Sequence, residues 1–237
     1  MIVPSSNTCL EPQTYRMLGD RTDVTVHFTR IEVTRIALDP DADRQFDHTS
    51  MVAAAKLLTT ADVDVLAWNG TAGSWLGPDQ DREAVRRIEG ATGVPATTST
   101  LAYLDAFAAF GTTRIGLLTP YTRDVNLAVA ARYAAEGVSV VDERHLGLSV
   151  NEAFARVDPE DLVTPSLELA AGADGLRPDA LAYLCTNLYG APIVQDMERD
   201  GGVPVLDSVA VTLWRCLAMI GAAPLGPRWG RLLSRPV

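Results

Sequence analysis

A thiol, a hydroxyl and a carboxamide follow one another at Cys185-Thr186-Asn187, directly behind the apolar run Ala180-Leu181-Ala182-Tyr183-Leu184. A short, continuous apolar run reads as a parallel strand buried on both faces. In open α/β sheets, ligands bind outside the carboxyl ends of such strands. Cys185 is therefore expected to be the proton-handling group of a cofactor-free enzyme, with Thr186 and Asn187 beside it. The competing reading is structural, because a free cysteine is also an ordinary small core side chain.

Three further stretches share this grammar. Pro4-Ser5-Ser6-Asn7-Thr8-Cys9 places hydroxyls and an amide ahead of a helix opening near Glu11-Pro12. The unpaired N–H groups of that helix start would favour a carboxylate, with Ser6 and Asn7 as donors, although the same residues could simply cap the helix. Trp68-Asn69-Gly70-Thr71-Ala72-Gly73-Ser74 lets a backbone approach a ligand at Gly70, with Thr71 and Ser74 as donors. It lacks both G-x-G-x-x-G and a G-K-[ST] ending, so it is not a phosphate loop, and a plain tight turn is the alternative. In Thr119-Pro120-Tyr121-Thr122-Arg123-Asp124, the Tyr121 phenol could donate to an oxyanion, while Asp124 reads as a helix cap and Arg123 as a solvated charge. Cys216 lies in the apolar segment Val209–Leu217 and reads as core, whereas Cys9 fits either role. His27, His48 and His145 show no triad spacing, which weakens a Cys-His hydrolase.

These groups need elements to hold them. Apolar runs predict strands at Met1–Val3, Val24–Thr29, Val63–Trp68, Ala96–Thr98, Arg114–Leu118, Ser139–Val141, Ala180–Leu184 and Val203–Leu206. Amphipathic segments predict helices near Glu11–Leu18, Arg44–Thr60, Asp79–Thr92, Thr100–Phe110, Asp124–Glu136, Asn151–Val157, Asp161–Ala171, Ala191–Arg199 and Ser208–Ile220. The alternation implies right-handed β-α-β units, hence an α/β fold with parallel sheets. An internal echo adds to this. Pro4 and Pro120, and Asn69 and Cys185, are each 116 positions apart, and Gly93-Val94-Pro95 pairs with Gly202-Val203-Pro204. The expected organisation is a duplicated α/β half, residues 1–98 with 208–237 against 99–207, each offering two polar strand ends to one cleft.

Composition narrows the partners. The 237 residues carry a net charge of -10 without a run of Lys or Arg, which argues against nucleic acid and anionic membrane surfaces. Neutral donors can still hold a small carboxylate or dicarboxylate. No apolar stretch reaches the length of a membrane span, and the opening lacks the order of a signal peptide. Three widely separated cysteines read as free thiols in a reducing cytoplasm, and no zinc spacing occurs, so no metal site is expected. The aromatic stretches around Trp75 and Trp214 are candidate faces for a homo-oligomer.

With these strand ends in view, nearly the whole chain resembles the aspartate/glutamate racemase superfamily, most closely the branch of maleate cis-trans isomerases and arylmalonate decarboxylases. Ile2-Val3-Pro4-Ser5-Ser6-Asn7-Thr8 matches the isomerase opening. Gly70-Thr71, the stretch Gly93–Thr100, Tyr121 with Asp124-Val125-Asn126, and Cys185 match the decarboxylase pattern. The resemblance implies two pseudo-symmetric, Rossmann-like α/β halves, an active site in the cleft between them, and no cofactor. It also implies that racemases place one cysteine on each half and that isomerases use the first-half cysteine as nucleophile. Here that position reads Asn69-Gly70, and the second-half thiol survives as Cys185. The chain departs from the decarboxylase pattern at Ala72, where that pattern has serine, and at Phe46, where it has tyrosine.

One thiol suits decarboxylation better than two-base chemistry. The leading expectation is a lyase that releases carbon dioxide from a small malonate-like carboxylate, with Cys185 protonating the resulting ene-diolate. Thr71, Tyr121 and backbone N–H groups near Gly70 and Thr186 would stabilise that anion, with Asn7 and Asn187 as additions. The alternative is a maleate isomerase or an Asp/Glu-type racemase in which Cys9 or water replaces the missing thiol. A third reading is a carboxylate-binding protein without catalysis.

Overall fold

The structure is a computed structural model and describes residues 1–173 and 175–235; the last two positions of the 208–237 stretch lie outside the described residues. In chain order its elements are β1 (Ile2–Pro4), α1 (Leu10–Leu18), β2 (Thr29–Ile31), α2 (Pro40–Asp43), α3 (His48–Thr59), β3 (Leu66–Trp68), α4 (Gly73–Leu76), α5 (Pro78–Thr92), β4 (Ala96–Thr98) and α6 (Ser99–Phe110). There follow β5 (Arg114–Thr119), α7 (Arg123–Ala135), β6 (Ser139–His145), α8 (Asn151–Phe154), α9 (Val163–Ala171), β7 (Ala180–Tyr183), α10 (Val194–Gly201), β8 (Val205–Asp207) and α11 (Ser208–Met219). The strands form two four-stranded parallel sheets, ordered β2-β1-β3-β4 and β6-β5-β7-β8. This is the expected α/β architecture, and the central strands β1, β3 and β7 are buried at every position.

Several expected elements differ: β3 starts at Leu66 rather than Val63, β6 runs on to His145, and α8 ends at Phe154. Residues 24–28 form no strand, because β2 pairs only with β1, and the ladder begins where Thr29 meets Ile2. The helix expected from Arg44 starts at His48, where the Asp47 carboxylate accepts from Ser50 N and caps it. The short helices α2 and α4 lie outside the expected elements. In the stretches offered as oligomer faces, the Trp75 and Trp214 side chains themselves are buried.

The registers relate the two halves residue by residue. Trp68 pairs with Ile2 and Thr98, while Tyr183 pairs with Leu118 and Asp207. Trp68 and Tyr183 are thus equivalent, and two residues further on Gly70, rather than Asn69, is the counterpart of Cys185. The echo runs at 115 positions here because the loops between the paired strands differ in length. The same symmetry appears in two staples: Glu89 Oε1 accepts from Ala96 N at 2.9 Å, and Glu198 Oε1 from Val205 N at 3.0 Å.

Helices α6 and α11 pack on each other along the seam between the sheets, and α11 also meets α1, β3 and β4. Two hydroxyl contacts cross the seam, Tyr103 to Ser208 at 3.0 Å and Thr212 to Ser99 at 2.8 Å. Each is anchored to a central strand end. Tyr103 OH lies 2.6 Å from Tyr183 O, and Ser99 Oγ donates to Asn69 Oδ1 at 3.0 Å.

Candidate active site

The carboxyl ends of β1, β3, β5 and β7 converge on one small cavity, with about 270 Å³ of empty space. Pro4 ends β1, while Gly70, Thr71 and Ala72 follow β3, Tyr121 follows β5, and Cys185 and Thr186 follow β7. Apolar strands that stop abruptly leave these backbone and side-chain groups beyond the ladder, free to face a ligand. The roof joins the two halves. Ile36 N donates to Ser149 O at 2.9 Å, Asn151 N to Thr34 O at 3.0 Å, and Val33, Ile36 and Asn151 line the space beneath.

One wall is aromatic. Phe46 meets Trp68 and Trp75 edge-on at 6.4 and 5.9 Å, Trp75 meets Tyr121 at 5.3 Å, and Tyr121 meets Phe154 at 5.6 Å. Edge-to-face packing of this kind fixes ring orientation as well as burying area. Phe46, Trp68, Ala72 and Trp75 also border an open cleft of about 1200 Å³, whose other walls carry Asp43, Asp81 and Arg132.

No lining residue of the small cavity carries a formal charge. Its polar groups are neutral and tightly arranged: Thr71 Oγ1 lies 2.8 Å from Tyr121 OH, and Asn187 N donates to Cys185 Sγ at 3.3 Å. Burial pushes the Cys185 thiol up to about 12, and the Tyr121 hydroxyl and Asn187 N–H, which favour the thiolate, offset only part of that. Burial likewise holds the Tyr121 phenol well above its ordinary range. At neutral pH the site therefore presents an S–H and an O–H, both donors, in a dry setting.

Of the residues singled out from sequence, Gly70, Thr71, Tyr121, Cys185 and Thr186 meet in this cavity. Ser6, Asn7 and Asn187 stand behind its lining, with their polar atoms engaged. Asn7 Oδ1 accepts from Cys9 N and Leu10 N, capping α1, while its Nδ2 donates to Thr186 Oγ1 at 3.2 Å. Asn187 Oδ1 accepts from Thr8 N, and its Nδ2 donates to Asn151 O at 2.6 Å. Ser6 Oγ donates to Val33 O and accepts from Asn151 Nδ2 at 2.8 Å. Ser74 is turned to Tyr133 OH at 2.8 Å.

The other thiols lie elsewhere. Cys9 is held by Gln13 Nε2 at 2.7 Å outside the lining, and Cys216 is a buried residue of α11. None of the three histidines lines the cavity, and among the described residues no cluster of His, Cys, Asp or Glu could hold a metal.

Sequence reasoning missed Asn151 and Trp68. Asn151 carried one available signal, an amide at the start of a helix, which reads first as a cap. Trp68 read only as the end of a strand.

Comparison with known proteins agrees with this geometry. A family model described as arylmalonate decarboxylase matches residues 1–233. Arylmalonate decarboxylase of Bordetella bronchiseptica is 32% identical over 78% of this chain and 77% of its own length. A maleate isomerase of Pseudomonas putida is 28% identical over 98% of this chain and 95% of its own. Among solved structures, a cysteine-to-alanine variant of the maleate isomerase Iso from Pseudomonas putida S16, crystallised with maleate, superposes with a TM-score of 0.87 at 25% identity, covering 98% of this chain and 95% of that one. These relatives are a decarboxylase and isomerases that share one fold, and the match along nearly the full length places the chain in the arylmalonate decarboxylase family.

Proposed function

We propose that this protein is a cofactor-independent decarboxylase of small malonate-type dicarboxylates, with Cys185 as the proton donor. The observation that carries the reading is a single thiol, kept protonated by burial, in a cavity whose lining carries no formal charge and where Gly70, the register counterpart of Cys185, offers no second thiol. The retained carboxylate lies against Thr71, Tyr121 and the backbone N–H groups beside Gly70 and Thr186. The bond from the α-carbon to the departing carboxylate breaks, carbon dioxide leaves, and the electron pair spreads onto the retained carboxylate as an ene-diolate. Preorganised donors lower that barrier because the charge develops where they already point. Cys185 then gives its S–H proton to the α-carbon, and the thiolate recovers a proton from solvent.

Ser6, Asn7 and Asn187 serve the same carboxylate by fixing the loops that carry Thr186 and the roof. The excess of negative charge supports a small-molecule partner rather than nucleic acid or a membrane surface, and three separated free thiols fit a reducing cytoplasm.

A second reading, cis-trans isomerisation or racemisation of a small dicarboxylate, is favoured by the Asn151 amide in the cavity wall, where a second carboxylate could find a donor. Carbon-dioxide release and proton NMR on substituted malonates and on maleate separate the two, because isomerisation keeps the carbon count. Wild type is expected to release carbon dioxide and Cys185→Ala to release none. Undiminished turnover by Cys185→Ala would refute the assignment, and stabilisation by dicarboxylates without turnover would leave a binding protein.

A further inference from the structure

The sheet registers make Gly70 the counterpart of Cys185, yet the space a side chain would need at Gly70 is already filled. A Cβ there would lie 2.6 Å from Trp68 Cε2 and nearer still to Cζ2, a separation real side chains do not adopt. Trp68 is fully buried, ends β3 between β1 and β4, and has Phe46 packed edge-on at 6.4 Å. The equivalent residue in the other half behaves differently. The Tyr183 ring lies against Gly190, its hydroxyl bonds Ser166 Oγ at 2.6 Å, and the Cys185 side chain has its seat.

We propose that Trp68 is the specificity-determining residue that keeps this cavity one-sided: its indole occupies the seat of a second acid and covers the substrate face turned away from Cys185. The stereochemical part of this inference rests on the decarboxylase reading; the steric part stands on packing alone. A planar ene-diolate between the two walls meets an S–H on one face and an aromatic ring on the other. The ring delivers no proton and excludes water. With Trp68 reduced and a thiol introduced at Gly70, the new thiolate can take the α-proton while the Cys185 thiol delivers one. One S–H bond then forms as another breaks, and the two hands of the product interconvert without net change in composition.

The steric part is tested by melting temperatures of Gly70→Ala, Trp68→Leu and the double variant. Gly70→Ala is expected to lower the melting temperature, and to lower it less when Trp68→Leu has already opened the seat; non-additivity of this kind marks residues in direct contact. Trp68→Phe, which removes the benzo edge facing Gly70, replaces Trp68→Leu if the latter does not fold. A melting temperature unchanged by Gly70→Ala overturns the proposal.

The stereochemical part uses 2-methyl-2-phenylmalonate, whose phenyl group acidifies the α-hydrogen of the product. Wild type is expected to give one enantiomer of 2-phenylpropanoate, and Trp68→Leu to lower the enantiomeric ratio by about tenfold, a difference of about 1.4 kcal/mol between competing barriers. In deuterium oxide, Trp68→Leu/Gly70→Cys is expected to exchange the α-hydrogen of 2-phenylpropanoate, and Gly70→Cys alone to leave it in place. Equal exchange by the single and double variants overturns the proposal. Absence of carbon-dioxide release from wild type refutes the decarboxylase reading instead, and the melting-temperature cycle still decides the seat.

Discussion

Tyr121→Phe separates a catalytic phenol from a structural one. The substitution keeps the ring, and with it the edge-to-face contacts to Trp75 at 5.3 Å and Phe154 at 5.6 Å. It deletes only the hydroxyl, 2.8 Å from Thr71 Oγ1. If that hydroxyl merely satisfied Thr71, the loss would be one buried neutral hydrogen bond, about 1 kcal/mol of stability, and turnover of the folded protein would be unaffected. If it stabilises the ene-diolate, its removal costs what deletion of one oxyanion donor costs elsewhere, roughly 10²–10³ in kcat or about 2.7–4 kcal/mol. The two outcomes differ by at least an order of magnitude in rate. The assay is steady-state carbon-dioxide release from a substituted malonate, paired with urea denaturation. Burial keeps the Tyr121 phenol protonated well above its ordinary range. The ratio of wild-type to variant kcat is therefore expected to be the same at pH 6 and pH 9. A kcat within about threefold of wild type, accompanied by the stability loss, would refute the catalytic role of the hydroxyl.

Two other outcomes follow from the same structure. Asn151→Ala removes the amide that donates to Ser6 Oγ but keeps the backbone carbonyl that Asn187 uses; KM for a dicarboxylate is expected to rise about tenfold with a smaller change in kcat, and an unchanged KM would remove Asn151 from substrate binding. Asp207 caps α11 by accepting from Val209 N and Ala210 N, and burial raises its carboxyl to about 7. A carboxyl raised in the folded state contributes stability that is fully present below its unfolded value near 4 and is lost as pH rises through the folded one. Asp207→Asn keeps the cap acceptor and cannot ionise, so wild type is expected to lose more stability than the variant between pH 4 and pH 8. Parallel urea midpoints across that range would contradict this.

Much of the site is legible in the sequence because apolar strands end sharply in polar residues. Leu184-Cys185-Thr186, Asn69-Gly70-Thr71 and Pro120-Tyr121 each show that break, and all three reach the cavity. What was not legible depends on contacts between distant segments. The stretch Val24–Thr29 carries strand-forming residues, but an edge strand exists only where a neighbour supplies its ladder, and β1 supplies it from Thr29 onward. Asn151 reaches the site because residues 34–36 pair with 149–151 across the two halves, which no local periodicity encodes. Counting along the sequence sets Asn69 against Cys185, and the hydrogen-bonded registers move the match to Gly70. The weight of Trp68 likewise comes from a glycine two residues away that cannot be replaced without touching the ring.

The seam between α6 and α11 fixes the spacing of the two halves. Its two hydroxyl contacts are tied to the carboxyl ends of β3 and β7, the strands that lead to Gly70 and Cys185, and the Arg215–Asp105 ion pair at 2.8 Å crosses it as well. Any hinge between the halves would have to break these ties together while prising apart two packed helices, so the gap across which a proton travels is set by the frame. The roof is tied down too, by backbone hydrogen bonds at 149–151 and by the side-chain bonds of Asn151 to Ser6 and of Asn187 to the Asn151 carbonyl. The donors beneath it are thereby held where the developing charge needs them.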